Sequence, residues 1–334
     1  MNNTPLYDIP ISVLDLIPIA EGNSVTQAFQ NSVELAQQTE ALGYNRFWLA
    51  EHHSMPNIAS AATTLLMNHI ANHTEKIRVG SGGIMLPNHS PLIVAEQIGT
   101  LEALFPGRID LGLGRAPGTD PDTAAAIRSD RMTAAHHFPY EIEKIQRYMA
   151  SNNQGQKVRA FIAEGAEVPI YILGSSTDSA YLAASMGVPY VFASHFAPKQ
   201  FLEALDIYRK NFQPSAELKE PYVIACVNVI TADTDNHAEY LSSTLKQMFL
   251  GIVTGNLRKM PPPVDNMDAI WSPYHKEAAE SMLTYSFIGS KETVGEKAKD
   301  FIEKTGVNEI MAVSHIFDHQ ERIKSYRLFA ELFQ

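Results

Sequence analysis

The chain has 334 residues, of which 37 are acidic and 26 are basic, and its formal net charge is -11. This charge argues against a nucleic-acid partner, because binding to phosphates relies on clustered lysine and arginine. Hydrophobic residues make up 45% of the chain, which excludes a disordered protein. The single cysteine excludes an intrachain disulfide, and no apolar run approaches the ~20 residues that cross a bilayer. The N-terminus lacks the features of a signal peptide, so we expect a cytoplasmic protein with no membrane partner.

Short apolar runs typical of strands recur along the chain, each followed by a turn signal and a longer stretch of helical periodicity. This alternation predicts parallel strands joined by crossover helices. The predicted helix between the first two strands ends at Gly43. Eight strands are predicted, at residues 11–16, 46–50, 76–80, 108–113, 169–173, 188–194, 222–230 and 309–314.

Eight such units with no linker between them predict one (β/α)₈ TIM-barrel domain over residues 1–334, with a doubly wound open sheet as the main alternative. Two stretches exceed what a plain barrel needs, namely 114–168 after strand four and 255–283 after strand seven. Both follow strand ends, so we expect them at the C-terminal mouth, where barrel enzymes have their active sites. The second contains MPPPVDN and the exposed-looking WSPYHKE, a composition that is typical of a mobile flap.

The second predicted strand ends in Glu51, His52 and His53. A carboxylate beside imidazoles can act as a general acid–base pair, because histidine titrates near neutrality and the carboxylate can orient it. A solvated loop explains the same cluster equally well. A metal site is a third interpretation, since His195 and His315 also follow strand ends and could converge on His52. Adjacent histidines in an extended chain point to opposite sides, which argues against that site.

Glycine, arginine and serine residues follow the next three strands. Three glycines in four residues after strand three allow a flat ligand to approach the backbone closely. Strand four ends in GLGRAPG, whose spacing differs from a dinucleotide fingerprint but which contains Arg115, a side chain able to clamp a phosphate. Ser175, Ser176 and Ser179 begin the helix after strand five, where hydroxyl groups are often plain caps. Together with Arg115 they predict a phosphate site suited to a planar cofactor such as FMN.

The motifs RFWLAEHHS, RVGSGGIMLPNHSP, RIDLGLGRAPG, YILGSS and VPYVFASH follow one another along the chain. In order and spacing this set resembles the bacterial luciferase-like, flavin-dependent monooxygenase family (alkanal monooxygenase-like), over nearly the whole chain. The resemblance implies a (β/α)₈ barrel, typically a homodimer, that receives reduced FMN from a separate flavin reductase. It further implies a reaction with O₂ that inserts one oxygen atom into a small organic substrate through a peroxyflavin.

By position, the resemblance implies that Glu51 and His52 are catalytic. It matches Gly82 and Gly83 to a small-residue pair at a non-prolyl cis peptide against the flavin ring. Gly114 stands where luciferase has a reactive-site cysteine, so the light-emitting aldehyde oxidation is not carried over. The implied cofactor-binding residues are Asp15, Gly82, Gly83, Arg115, Ser175, Ser176, Ser179, Ala193 and Ser194.

Two alternatives to this function share its fold or its phosphate site. A deazaflavin-dependent oxidoreductase of the same superfamily would transfer a hydride without oxygen. A flavin-binding protein without turnover would keep the phosphate site, although the presence of Glu51 and His52 argues against it. A metal hydrolase ranks below both. If the chain dimerises as the family does, the helical stretches 59–72 and 91–104 would form the interface.

Overall fold

The computed structural model of the protein describes residues 9–334. Its strands are β1 (Ile11–Asp15), β2 (Arg46–Leu49), β3 (Arg78–Ser81), β4 (Ile84–Met85), β5 (Ile109–Gly114), β6 (Ile170–Gly174), β7 (Tyr190–Phe192), β8 (Val223–Ala232), β9 (Ser286–Ser290) and β10 (Glu309–Val313). Its α-helices are α1 (Val25–Ala41), α2 (Thr63–Asn72), α3 (Pro91–Leu104), α4 (Pro121–Ile127), α5 (Arg131–His136), α6 (Phe138–Met149), α7 (Thr177–Met186), α8 (Phe201–Asn211), α9 (Asp235–Thr254), α10 (Pro273–Met282), α11 (Lys291–Thr305) and α12 (His319–Ala330).

Eight parallel strands close into a barrel in the order β1, β2, β3, β5, β6, β7, β8 and β10. The pairing of β10 with β1 completes the ring, and the helices connect successive strands. The predicted (β/α)₈ barrel is therefore confirmed, and the open sheet is excluded because its first and last strands would not pair. Each of the eight predicted strands overlaps a strand of this barrel.

Two strands were not predicted, the two-residue β4 and the longer β9. β8 is 10 residues long and changes partner along its length. Its first half pairs with β10, and its second half, from Asn228 to Ala232, pairs with β9. The run that forms β9, SFIGS, is short, contains a glycine and leads at once into α11, so its alternation is too weak to stand out in the sequence.

Helix α1 shows how local sequence sets the elements around the barrel. Its N-cap is Ser24, whose hydroxyl accepts a hydrogen bond from the Gln27 backbone at 3.1 Å. Gly43 follows the helix with φ of 79°, a left-handed conformation that favours glycine, and so confirms the predicted end. Leu35 and Ala36 are fully buried and pack in the large core between the strands and the helices.

The two predicted insertions contain regular structure. The first, residues 114–168, contains α4, α5 and α6, and Phe138 of α6 is 2% exposed. The second, residues 255–283, contains α10 and a small core in which Trp271 packs with Phe249 and Ile316. Trp271 is only 8% exposed, so the expectation that the WSPYHKE segment is exposed is wrong for this residue. The indole anchors the insertion because it is the largest apolar side chain in the segment.

No helix in the described part of the chain is long and apolar enough to span a membrane. Residues 1–8 lie outside the described residues. They make up most of the N-terminal segment on which the signal-peptide prediction was based.

An ion network around Arg46 fills the N-terminal end of the barrel interior. The guanidinium donates to Glu309 at 2.8 and 3.1 Å, to Asp110 at 2.8 Å and to the Tyr171 hydroxyl at 2.7 Å. The indole of Trp48 donates to the same Asp110 oxygen at 2.9 Å. Arg46 is 5% exposed and both carboxylates are fully buried. The pairing is essential here, since burying an unpaired charge is far more costly than burying a neutral group.

We expect Arg46→Met to lower the free energy of unfolding by about 3–5 kcal/mol, because Glu309 and Asp110 would keep their burial and lose their shared cation. Urea unfolding of the two proteins measures this difference. The control is Lys304→Met, which removes an exposed pair with Asp300 at 2.7 Å and should change stability only marginally. Equal losses in the two variants would contradict the role of the network.

Candidate active site

The side chains predicted to act on the cofactor follow different barrel strands and meet at one end of the barrel. Glu51 and His52 follow β2, Gly82 and Gly83 follow β3, and Arg115 follows β5. The serines after β6 lie at the start of α7. The C-terminal ends of parallel barrel strands share one face, so these residues surround the same mouth, as the sequence predicts.

Glu51 lies at the centre of a buried hydrogen-bond network. It is 1% exposed and accepts from His53 Nε2 and His89 Nε2, each at 2.9 Å. The Met85 backbone and the Asn88 amide each donate to it at 3.0 Å. Burial raises the pKa of Glu51, but the histidine and amide hydrogen bonds outweigh it and hold the pKa at about 2. At neutral pH Glu51 is therefore an anion that ties the end of β2 to the segment after β3.

His52 does not bond to Glu51, contrary to the expectation that the carboxylate orients this imidazole. Its Nδ1 contacts the Gly118 carbonyl at 3.3 Å, whereas the imidazole of His53 bonds to Glu51. Burial lowers the pKa of His52, although the Gly118 carbonyl and Glu51 both act to raise it. A carbonyl only accepts hydrogen bonds, so this contact places the proton on Nδ1 and the lone pair on Nε2. His52 is thus a neutral imidazole at neutral pH.

The loop after β5 packs directly against the end of β2. The His53 backbone donates to the Gly118 carbonyl at 3.2 Å, and the Thr119 hydroxyl donates to the His53 carbonyl at 2.9 Å. Gly118 has φ of 66°, and a Cβ at this position would lie 2.6 Å from the Glu51 carbonyl oxygen. The glycine that superficially suggested a nucleotide fingerprint therefore allows two loops to pack closely.

The peptide bond between Gly82 and Gly83 is cis, as the resemblance implies. A Cβ on Gly82 would lie 2.5 Å from Leu14 Cδ1, and a Cβ on Gly83 would lie 2.8 Å from the Gly112 carbonyl oxygen. Neither position has room for a side chain, so this part of the wall is bare backbone. Contact of the two glycines with a flavin ring stays a prediction.

Arg115 lies at the N-terminus of α7, as the predicted phosphate site requires. It contacts Asp178 at 3.0 Å, and the two side chains are 51% and 66% exposed. An ion pair this exposed is weak, so the guanidinium can exchange partners. Ser176 is the N-cap residue but makes no capping hydrogen bond, while Ser179 donates to the Ser176 carbonyl at 2.8 Å. Ser175 is exposed. The Arg115 guanidinium thus lies beside the N-terminus of α7, where hydrogen-bond donors are free.

Two of the predicted cofactor-binding residues, Asp15 and Ser194, form hydrogen bonds within the protein. Asp15 is fully buried and accepts from the Arg322 guanidinium at 2.8 Å. Burial raises its pKa, but Arg322 and further hydrogen bonds outweigh this and lower it. The buried Ser194 hydroxyl donates to the Cys226 carbonyl at 2.5 Å. The hydrogen-bonding groups of both side chains thus have protein partners, and contact of Asp15 and Ser194 with a cofactor stays a prediction. Ala193 remains partly exposed.

His195 follows β7 and His315 follows β10, and each is 6% exposed. Burial, together with the nearby His315 and His52, lowers the pKa of His195 to about 3. Burial lowers the pKa of His315 to about 4, with Arg322 acting in the same direction. His195 therefore lies near both of the other imidazoles, as the metal-site interpretation requires. Among residues 9–334, however, no group of three or more His, Cys, Asp or Glu could hold a metal ion.

One important residue, His89, was missed at the sequence level. It lies in the PNHSP segment before α3, and no pattern there indicates that the segment crosses over the end of β2 to reach Glu51. A contact between two loops that are 38 residues apart in the chain has no local signal.

Comparison with known proteins decides the family. Residues 9–329 match the sequence model of the family described as luciferase-like monooxygenase. The chain belongs to this family and is an oxidoreductase. A luciferase-like monooxygenase of Escherichia coli (strain K12) is 45% identical over 320 residues, covering 96% of each protein. The uncharacterized protein YvbT of Bacillus subtilis (strain 168) is 47% identical over 335 residues, covering 100% of this chain and 99% of YvbT.

Solved structures agree with the fold. The crystal structure of apo-MsnO8 superposes with a TM-score of 0.87 at 33% identity, covering 97% of this chain and 98% of MsnO8. The oxygenating constituent of 3,6-diketocamphane monooxygenase from Pseudomonas putida, in complex with FMN, has a TM-score of 0.73 at 18% identity and 97% coverage of both chains. An F420-dependent secondary alcohol dehydrogenase has a TM-score of 0.68 at 14% identity, covering 96% and 98%. These last two show the shared fold alone.

We expect Glu51→Gln to be less stable than the wild type by about 3 kcal/mol at neutral pH, because the pKa of Glu51 falls from 4.5 to about 2 on folding. A lowered pKa stabilises the fold above pH 4.5, and this contribution is lost as the pH falls toward 2. Urea unfolding of both proteins at several pH values should show their difference shrinking across this window. A difference that does not change with pH would contradict an anionic Glu51.

Proposed function

We propose that the protein is an FMN-dependent, two-component monooxygenase. In this proposal one barrel domain, in the cytoplasm, takes reduced FMN from a separate flavin reductase and uses O₂ to insert one oxygen atom into a small organic substrate. The observation that carries the proposal is the position of Arg115 at the start of α7, beside the buried network of Glu51.

The residues at the mouth fit a phosphorylated planar cofactor. Arg115 and the free N–H groups at the start of α7 would hold the phosphate, since a helix N-terminus carries partial positive charge. The hydroxyls of Ser175 and Ser176 add donors. The bare backbone at Gly82 and Gly83 would lie against the ring. When bound, reduced FMN would supply the electrons that activate O₂.

The chain's own residues hold and move protons around this site. Glu51 stays ionised and positions the segment that contains Met85 and His89. His52 presents a neutral imidazole whose Nε2 carries the lone pair, so it can accept a proton or hydrogen bond near the reacting group. The loop around Gly118 packs on both residues and excludes water from one side of the mouth.

A deazaflavin-dependent oxidoreductase is the alternative that shares this site, because the same arginine and helix start would accept its phosphate. The diketocamphane monooxygenase constituent in complex with FMN and the F420-dependent alcohol dehydrogenase, which share the fold, represent these two options. Titration of the protein with reduced FMN and with the deazaflavin coenzyme under identical conditions distinguishes them. Tighter binding of the deazaflavin would overturn the FMN assignment.

The proposal includes a homodimer built on α2 and α3. Gly99 of α3 packs closely on Ala163: a Cβ on Gly99 would lie 2.5 Å from the Ala163 Cα. This contact places the 158–162 segment beside α3. Exposed apolar side chains on neighbouring elements are typical of an interface with a second copy. They are Leu65, Ile93, Leu104, Phe161 and Ile162, between 47% and 73% exposed. Sedimentation of the wild type and of Phe161→Asp checks this interface.

We expect Arg115→Met to weaken FMN binding about tenfold or more, because a charge-assisted contact to the phosphate is lost. Fluorescence titration with FMN measures the dissociation constant. The control is Asp178→Asn, which removes the carboxylate that pairs with Arg115 at 3.0 Å and should leave FMN binding equal or tighter. Weaker binding in Asp178→Asn, or unchanged binding in Arg115→Met, would contradict this phosphate site.

We expect His52→Ala to bind FMN about as well as the wild type and to lose about a hundredfold of its oxygenation rate, because acid–base groups contribute on that order. The assay supplies FMN and a flavin reductase aerobically with a panel of small organic compounds, and compares product with hydrogen peroxide. His136→Ala, at an exposed position on α5, is the control and should behave as the wild type. Unchanged product yield in His52→Ala would remove this residue from the reaction.

A further inference from the structure

Three adjacent strands of the barrel carry, in or just after them, buried polar atoms that have no hydrogen-bond partner among residues 9–334. His195 follows β7, Asn228 lies in β8, and Ser314 and His315 follow β10. All four residues are more than nine-tenths buried. The unpartnered atoms are Nδ1 of His195, Oδ1 of Asn228, Oγ of Ser314 and Nδ1 of His315. We call these four residues the polar cluster.

The members of the polar cluster lie at one level of the barrel. The Asn228 amide donates to the His195 carbonyl at 2.6 Å, which joins the ends of β7 and β8. In the pairing of β8 with β10, Asn228 lies opposite Val313, so Ser314 and His315 begin just beyond it. His195 and His315 also influence each other electrostatically. The cluster is therefore one feature of the mouth and not a set of scattered defects.

The polar cluster lies opposite the proposed cofactor site. Glu51, Arg115 and the serines at α7 follow β2, β5 and β6, whereas the members of the cluster follow β7 and β10 or lie within β8, on the other arc of the ring. His52, which also follows β2, lies near enough to His195 to lower its pKa, so it stands between the two groups. A buried polar atom without a hydrogen bond costs free energy, and native proteins leave few of them. Four at one place in a barrel mouth indicate that something else supplies their hydrogen bonds.

The chemistry of the cluster favours an uncharged partner that donates hydrogen bonds. The Asn228 Nδ2 is held by the His195 carbonyl and by Ser286 Oγ at 3.1 Å, so its free Oδ1 is an acceptor. The neighbouring charges, Arg322 and Asp15, neutralise each other at 2.8 Å. No free cation is left for an anionic group and no free carboxylate for a cationic one among these neighbours. Both imidazoles are neutral, since burial lowers the pKa of each.

We propose that the polar cluster binds an uncharged, hydrogen-bond-donating group of the substrate, an amide N–H or a hydroxyl, and so determines which compounds the site accepts. This inference rests on the proposed function in placing the substrate across the mouth from the cofactor. It can be tested without the cofactor, because the cluster belongs to the protein alone.

The experiment compares three probes of similar length on the flavin-free protein: N-butylacetamide, hexanoate and hexylamine. With histidine labelled with nitrogen-15, we expect N-butylacetamide to shift the imidazole signals of His195 and His315 saturably. The two charged probes should leave those signals unchanged at the same concentrations. Tighter binding of hexanoate or hexylamine than of the amide would overturn the proposal.

His195→Phe and His315→Phe assign these signals and test the role of each imidazole. We expect each variant to bind N-butylacetamide on the order of tenfold more weakly, the effect of one lost hydrogen bond. The midpoint of urea unfolding should stay equal or rise, because an apolar ring replaces an unpartnered buried imidazole. His136→Phe, on exposed α5, is the control and should bind as the wild type. Unchanged amide binding in both variants, or a clear loss of stability, would show that the imidazoles serve the fold.

A separate FMN titration of the wild type distinguishes this inference from the proposed function. If FMN does not bind but the amide still shifts both imidazoles, the cofactor assignment fails and the polar cluster stands. If FMN binds and the amide shifts neither imidazole, the cofactor assignment stands and the cluster proposal fails.

Discussion

The buried cation Arg46 connects strands across the barrel interior. Its partners lie on β5, β6 and β10, and its guanidinium also stacks near the rings of Trp48 and Tyr171, at 5.7 and 5.1 Å. Glu309 in turn accepts from the hydroxyls of Ser12 and Tyr222, which brings in β1 and the start of β8. The ion pairs at this end of the barrel therefore fix the relative positions of the strands. Because β2 runs straight from Arg46 to its other end, the strand positions fixed by this network also determine where Glu51 lies, about 16 Å away.

Above this network the barrel interior is apolar, and polar groups return only at the mouth. There the two sides differ in kind. On one side the polar groups are charged and paired: Glu51 with two imidazoles, and Arg115 with Asp178. On the other side they are neutral and unpartnered, as in His195 and His315. A cofactor that carries a phosphate suits the first side, and an uncharged organic compound suits the second. If both proposals hold, this division gives the mouth one surface for the cofactor and another for the substrate.

The sequence predicted those parts of the structure that depend on local pattern. Strand and helix periodicity was sufficient for the barrel, and strand-end chemistry placed Glu51 and Arg115 at its mouth. It did not predict that His89, rather than His52, bonds to Glu51, because that contact joins two loops through tertiary packing. Nor did it predict that Trp271 is buried, since the burial comes from α9 and the segment after β10, and not from the neighbours of Trp271 in the chain.

The double pairing of β8 also bears on how this fold can change. The chain leaves the barrel after Ala232, and it returns through β9, whose residues Ser286 and Ser290 lie opposite Asn228 and Ala232. The excursion between these two strands, residues 233–285, therefore starts at the end of β8 and returns to β9, which pairs with β8. The ring itself closes through the separate pairing of β8 with β10. Residues 235–283 contribute no strand to the ring, although Met260 exchanges backbone hydrogen bonds with Ile19 and Glu21 after β1. Evolution or design can thus change the exposed parts of this excursion while the Arg46 network stays in place.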